Sequence, residues 1–257
     1  MGTFLTIIII LTVLVVGGFT ILIAFVINKS TTQKTQEFIE NEKQEMRANV
    51  EKKRKELHPH KAALYSQVTD AMVFNYIKAV TYNKLSGVIL NEKHKPIVSF
   101  ERIERGLHTK GHMGAMTKKQ TFYYDFTDLE ATFYCDDMLL GRFDKTGTIY
   151  DATDKVIGHA KHPMKASFDL QLFTSSQHRL GEDFFPLTLN NRQLATINVA
   201  PNYDDIKHVS SVKTVFEELG FGTPIITLTD TPTAEEENWL TAFAIFETAF
   251  HGHWLIP

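Results

Sequence analysis

One cysteine, Cys135, stands among 257 residues, so no internal disulfide can form and a reducing compartment is the expected setting. Charge of one sign is also missing. With 27 Lys and Arg against 30 Asp and Glu the net charge is -3, too small to supply a field for nucleic acid, and no such partner is expected. There is no H-E-x-x-H, no G-x-S-x-G and no P-loop, since Gly141-Arg-Phe-Asp-Lys-Thr146 lacks the second Gly before its Lys. Those absences remove the zinc-protease, serine-hydrolase and nucleotide-hydrolase readings.

Charge is absent altogether from Phe4 to Ile27, 24 residues rich in Ile, Leu, Val and Phe. As a helix this run would reach roughly 36 Å, more than a hydrocarbon core of about 30 Å, and it predicts a transmembrane helix over 4–27. A cleaved signal peptide fits worse, because a positive leading region, a short apolar stretch and a small-residue cleavage site are all lacking. No Lys or Arg precedes the run, whereas Lys29, Lys34, Lys43 and Arg47 follow it. The positive-inside rule then places a short N-terminus outside and the bulk of the chain in the cytoplasm as a single-pass protein, with the membrane lipid bilayer as its first partner.

Gly and Pro are missing from Thr32 to Leu57, a segment of Glu, Lys, Gln and Arg that predicts a charged helical stalk over 28–58. Nine Lys or Arg against six Glu between Asn28 and Lys61 leave it locally at +3 (9 - 6). Its apolar residues Ile39, Met46, Val50 and Leu57 recur at spacings of 7, 4 and 7, a seam able to pair two chains as a weak homo-oligomer. Lys52, Lys53, Arg54 and Lys55 form a basic run, the candidate site for anionic lipid. After Pro59, the four-residue steps Leu64, Val68, Met72 and Tyr76 predict a second helix, within 59–82, packing on the domain that follows.

From Ser86 the pattern turns to short runs of Val, Ile, Phe, Tyr and Thr broken by Gly, Asn, Asp and Pro, the mark of strands and hairpins. Phe122–Tyr134, Thr148–Ala160 and Phe185–Ile197 share one shape, and aligning Ala131, Gly158 and Ala195 superposes them. Repeated hairpins must hide their edges, so the expected domain, 86–257, is a closed β-barrel or roll. Thr233 and Glu236 form a capping box that opens a helix over 234–250, and Trp239, Leu240, Phe243, Ile245 and Phe246 give it more than one apolar stripe, as for a helix surrounded by protein.

The hairpin Tyr-Asp-Ala-x-Asp-Lys-Val-Ile-Gly (Tyr150 to Gly158), a final strand, and Asp-x-x-x-Ala-Glu-Glu-Glu-x-x-Leu (Asp230 to Leu240) entering an apolar C-terminal helix resemble the tubby C-terminal-like superfamily, which includes phospholipid scramblases and LURP-one-related proteins. The resemblance covers Thr121 to Phe250 and implies a closed β-barrel wrapped around that helix. The chain departs from scramblases in carrying its apolar run at the front and in having no cysteine cluster, and no lipid-binding residue is carried over. The function expected is a membrane-tethered cytoplasmic binding or scaffolding module for phospholipid head groups or a partner protein, without a cofactor.

A rival signal is catalytic. Asp144-Lys-Thr-Gly-Thr148 is identical to the aspartyl-phosphate signature of P-type ATPases and looks like the first motif of haloacid-dehalogenase phosphatases. That alternative makes Asp144 the nucleophile, with Lys145 and Thr146 beside it and Mg as the metal. The surrounding β-rich pattern opposes it, because that fold needs helices between parallel strands. The pairs His58/His60, His108/His112, His159/His162 and His251/His253 lack a carboxylate at ligand spacing, so no metal site is expected, and Cys135 reads as a packed thiol.

Overall fold

The structure is a computed structural model that describes residues 12, 14–24, 36–59, 63–78, 82–105, 110–127, 130–160, 164–169, 174–179, 184–198, 215–219 and 222–251. Alternation of apolar and polar residues builds most of it. In β5 (Thr121–Thr127), Phe122, Tyr124 and Phe126 are buried, and in β6 (Glu130–Cys135), Ala131, Phe133 and Cys135 are. Each strand thus turns one face inward at a period of two. The order continues from β1 (Met72–Lys78), β2 (Tyr82–Leu90), β3 (Pro96–Arg105) and β4 (Lys110–Met116) to β7 (Met138–Phe143), β8 (Thr148–Asp151) and β9 (Val156–His159). After a separate pair, β10 (Met164–Asp169) and β11 (Thr174–Arg179), come β12 (Phe184–Leu189), β13 (Arg192–Asn198), β14 (Val215–Leu219) and β15 (Ile226–Leu228).

The main sheet is antiparallel, thirteen-stranded and ordered β14-β1-β2-β3-β4-β5-β6-β7-β8-β9-β12-β13-β15. Short turns set its register. Asp136-Asp137 and Asn190-Asn191 take positive φ at both positions (48° and 64°, 51° and 64°), the two-residue turn whose twist suits a hairpin. The three similar segments are the hairpins β5–β6, β8–β9 and β12–β13. Their small residues pair with large buried ones, Ala131 with Phe126, Gly158 with Ile149 and Ala195 with Leu187.

Inside the curl of this sheet lies helix α2 (Ala234–Phe246), continued by a wider turn over Glu247–His251. Its capping box is formed, with Glu236 N on Thr233 Oγ1 at 3.3 Å and Thr233 N on Glu236 Oε2 at 2.8 Å. Every residue from Trp239 to Ala249 is buried. Phe133 touches Trp239, Phe243 and Phe246 at ring centroid distances of 5.7, 5.1 and 5.2 Å, and Tyr124 donates its hydroxyl to the Ala242 carbonyl at 3.0 Å. A second helix, α1 (Gln36–Lys53), lies on the outer face of β3, β4 and β5.

Several expectations are overturned. Among the described residues no helix is long and apolar enough to cross a membrane. The apolar helical stretch described is 14–24, eleven residues or about 16 Å, and the rest of 4–27 apart from residue 12 lies outside the described residues. An uncharged run records composition and not the continuity of a helix. The single-pass topology, the outside N-terminus, the cytoplasmic placement that followed from it and the bilayer as partner therefore lose their basis.

The closed barrel, and with it the tubby-like reading, is corrected as well. Among the described residues no ladder joins the two ends of the strand order, so the sheet is open. The segments leading into β1 and β15 approach at an isolated bridge between Thr69 and Pro224 and at Ile225 N to Val68 O (3.0 Å), but β15 is three residues long and the approach stops short of a ladder.

The helix expected within 59–82 is a short 3-10 turn at Leu64–Ser66 followed by strand β1. Leu64, Val68 and Met72 are indeed buried, yet a four-residue step is two strand repeats as well as about one helical turn, and Val73, Phe74, Tyr76 and Ile77 favour the strand. The seam of the stalk is not a pairing surface either, because Met46, Val50 and Leu57 are buried against this chain's own sheet.

Phe133 is fully buried amid α2, so Phe133→Ala is expected to cost about 3–5 kcal/mol in urea denaturation, whereas Val156→Ala, at an exposed position, should stay within about 0.5 kcal/mol.

Candidate functional site

Asp144 sits in the turn between β7 and β8, and its carboxylate is used up there. Oδ1 accepts from Thr146 N (2.9 Å), Thr146 Oγ1 (2.6 Å) and Thr148 N (3.0 Å), while Oδ2 accepts from Tyr150 Oη (3.2 Å). Gly147 closes the turn with φ of +91°. The next turn repeats the device without the signature: Asp151 Oδ1 accepts from Thr153 N (2.8 Å), Thr153 Oγ1 (2.7 Å) and Lys155 N (3.1 Å), with Asp154 at φ 63°. Asn91 does the same between β2 and β3, accepting from Lys93 N and Lys95 N at 3.0 Å with His94 at φ 52°. Three turns therefore share one chemistry, a side-chain oxygen holding the backbone amides two and four residues on.

Partial burial pushes the Asp144 carboxyl up, but the bonds from Thr146, Thr148 and Tyr150 outweigh it and hold the group below the usual carboxylate range. Lys145 and Thr146 are exposed on the same turn. Among the described residues no group of three or more His, Cys, Asp or Glu could hold a metal ion. The Mg-dependent phosphotransfer alternative is thus overturned: the signature is a hairpin turn.

Cys135 and His159 are also engaged. Burial, followed by the charge of Asp136, pushes the Cys135 thiol up to about 11. His159 Nε2 lies 3.1 Å from the Thr146 carbonyl. His60, His108, His162 and His253 lie outside the described residues. Lys52 and Lys55 are exposed, and Lys53 and Arg54 half-buried, where α1 ends and a 3-10 turn (Arg54–Glu56) begins. Lys118 donates to the Arg54 and Lys55 carbonyls, both at 2.9 Å, placing a cation at that helix end.

What the fold assembles is a polar layer beneath α1. Glu42 pairs with Arg105 of β3 and accepts from His112 Nε2 of β4 at 2.8 Å, which places the proton of that imidazole on Nε2. Lys43 meets Asp125 at 3.3 Å, Asn49 donates to Glu101 Oε2 at 3.2 Å, and Ser99 Oγ donates to the Val50 carbonyl at 3.0 Å. Lys84, at 2.8 Å, neutralises buried Glu101. Burial raises the Glu42 carboxyl, but its bonds to His112 and Arg105 prevail and lower it. Met46 lies over Gly114, where a Cβ would stand 3.1 Å from its Sδ, so glycine lets the helix approach this closely.

Beside that layer a cleft of about 290 Å³ opens between α1 and β4–β5. Val50 and Gly114 contribute to its lining along with Met116 and Tyr123, and Arg47 and Glu51 project from the helix. Arg47 bridges to Asp137 at 2.6 Å with both side chains largely exposed, and its guanidinium lies 5.9 Å from the centre of the Tyr123 ring. None of these residues stands in a recognisable motif. The one hint in the sequence is the Met46, Val50, Leu57 seam, which marks the face of α1 that needs a partner without saying which. Comparison with protein families, with characterised proteins and with solved structures gave no match.

Because the folded Glu42, Asp144 and Asp151 carboxyls lie below their unfolded values, their stabilisation is present above about pH 4–4.5 and is lost as pH falls through the folded values. Glu42→Gln and Asp144→Asn should each flatten the loss of thermal stability between about pH 6 and pH 3, and Asp144→Asn should cost about 1 kcal/mol at pH 7.

Proposed function

We propose that this chain is a non-catalytic binding protein for a small organic acid with an apolar body, held in the cleft between α1 and β4–β5. The observation that carries this reading is Arg47. It is the cation at the mouth of a concave site whose floor is largely apolar, and its present partner is an exposed carboxylate, Asp137. Exposed ion pairs contribute about 0–1 kcal/mol, so a ligand carboxylate can take the place of Asp137 at little cost. Once there it faces a planar, bidentate donor, while its apolar part covers Val50, Met116 and the Tyr123 ring. The volume suits a group about the size of one aromatic acid. Engagement of Asp144, Cys135 and His112 in structural bonds, the Cys135 sulfur accepting from Gln120 Nε2, supports binding over turnover. This reading replaces the membrane-tethered head-group module, which the described helices do not support.

Titration of the full chain with indole-3-acetate, followed by amide chemical shifts, should give saturable changes confined to 47–51, 114–123 and 137. Indole and acetate alone should bind far more weakly. Arg47→Ala should weaken binding roughly tenfold or more, and Asp137→Asn should strengthen it modestly by freeing Arg47. Changes elsewhere in the sheet, or equal binding by the Arg47 variant, would sink the proposal.

A further inference from the structure

We infer that the cleft is assembled and dismantled by the docking of α1, so that ligand occupancy and helix docking control one another. This rests on the cleft reading above and adds its regulation. One wall of the site, Arg47, Ala48, Val50 and Glu51, belongs to α1 itself; the opposite wall belongs to the sheet. When the helix leaves, Arg47 leaves with it, and no cleft remains.

The attachment of α1 is of an unusual kind for an 18-residue helix. In the helix itself its fully buried apolar side chains are Met46 and Val50, with Leu57 just beyond its end. Most of its other contacts are polar and directional: Glu42 on Arg105 and His112, Lys43 on Asp125, Arg47 on Asp137, Asn49 on Glu101, and the Val50 carbonyl on Ser99, with Lys43 and Arg47 also over the Tyr123 ring. Met46 shares a small apolar cluster with Ile103 and Tyr123, so a helix held this way is released by losing a few contacts, whereas the sheet and α2 are held by a continuous apolar core. Glu42 and Asn49 lie outside the cleft lining, so the docking contacts can be altered without touching the binding groups. A ligand that binds the docked state alone must stabilise docking by the factor 1 + [L]/Kd.

Amide hydrogen exchange on the full-length protein reads helix docking directly. Glu42→Gln and, separately, Asn49→Ala should speed exchange across 42–53 roughly tenfold while leaving α2 protection unchanged, which also shows that each variant folds. Saturating indole-3-acetate should slow α1 exchange in the unmodified protein and, by the same factor, in both variants. Exchange in α1 that saturating indole-3-acetate leaves unchanged would overturn the coupling. Unchanged α1 exchange in both variants would overturn control by the polar layer. If indole-3-acetate fails to bind the unmodified protein, the ligand reading falls and the coupling with it, while the exchange of the two variants still reports how α1 is held.

Discussion

A helix that is apolar on every face is stable in water once it is enclosed, and the architecture follows from meeting that requirement for α2. Trp239, Phe243 and Phe246 each meet Phe133, and Tyr124 reaches in to bond the Ala242 carbonyl. One sheet face four or five strands wide would leave part of the helix bare. A long antiparallel sheet that curls through right-handed twist covers it on several sides. The small residues Ala131 and Ala195 fit the same requirement, because each stands opposite a large inward side chain, while Gly158 lets β12 approach, since a Cβ there would collide with the Thr188 carbonyl.

The two helices are held by opposite means. Around α2 the contacts are mainly aromatic and aliphatic and close-packed, with polar ties at its first turn, where Arg192 and Asn190 hold Glu236. Under α1 they are carboxylates, amides and cations around a small apolar contact, with Gly114 allowing the backbone approach. The same layer keeps buried charge satisfied: Glu101 has Lys84 and Asn49, and Glu42 has Arg105 and His112. Loss of one partner would leave a charge stranded at the edge of the interior, so these residues act together. The cleft inherits this character, one wall rigid and the other detachable.

Turn chemistry explains how a five-residue signature of phosphoryl transfer comes to stand in a hairpin turn. A hairpin that needs an acceptor at its first position, a hydroxyl two residues on and a left-handed residue after that selects Asp, Thr and Gly in that order. Asp144 to Thr148 meets these needs and so matches a phosphoryl-transfer motif; Asp151 to Lys155 meets them with Asp154 in the left-handed position and matches nothing. The short motif is shared because both uses depend on small residues and clustered amides near one carboxylate.

Local physics made several features legible in the sequence alone. Thr233 and Glu236 announce the start of α2 because a capping box needs only four residues, Asp136-Asp137 and Asn190-Asn191 are turn chemistry on their face, and the period-two alternation of β5 and β6 states which side is buried. Features that depend on distant partners were not legible. The four-residue spacing through Leu64, Val68 and Met72 suits a helix or a strand, and the pairing of β1 with β2 and β14 chose the strand. The seam of α1 asked for an apolar partner, and only the tertiary structure supplied β3 and β4 in place of a second chain. Whether the sheet closed, and whether Arg47, Tyr123 and Asp137 would share a cleft, depended on strand order and helix placement across a sequence separation of 90. Those are contacts between segments, and no local pattern encodes them.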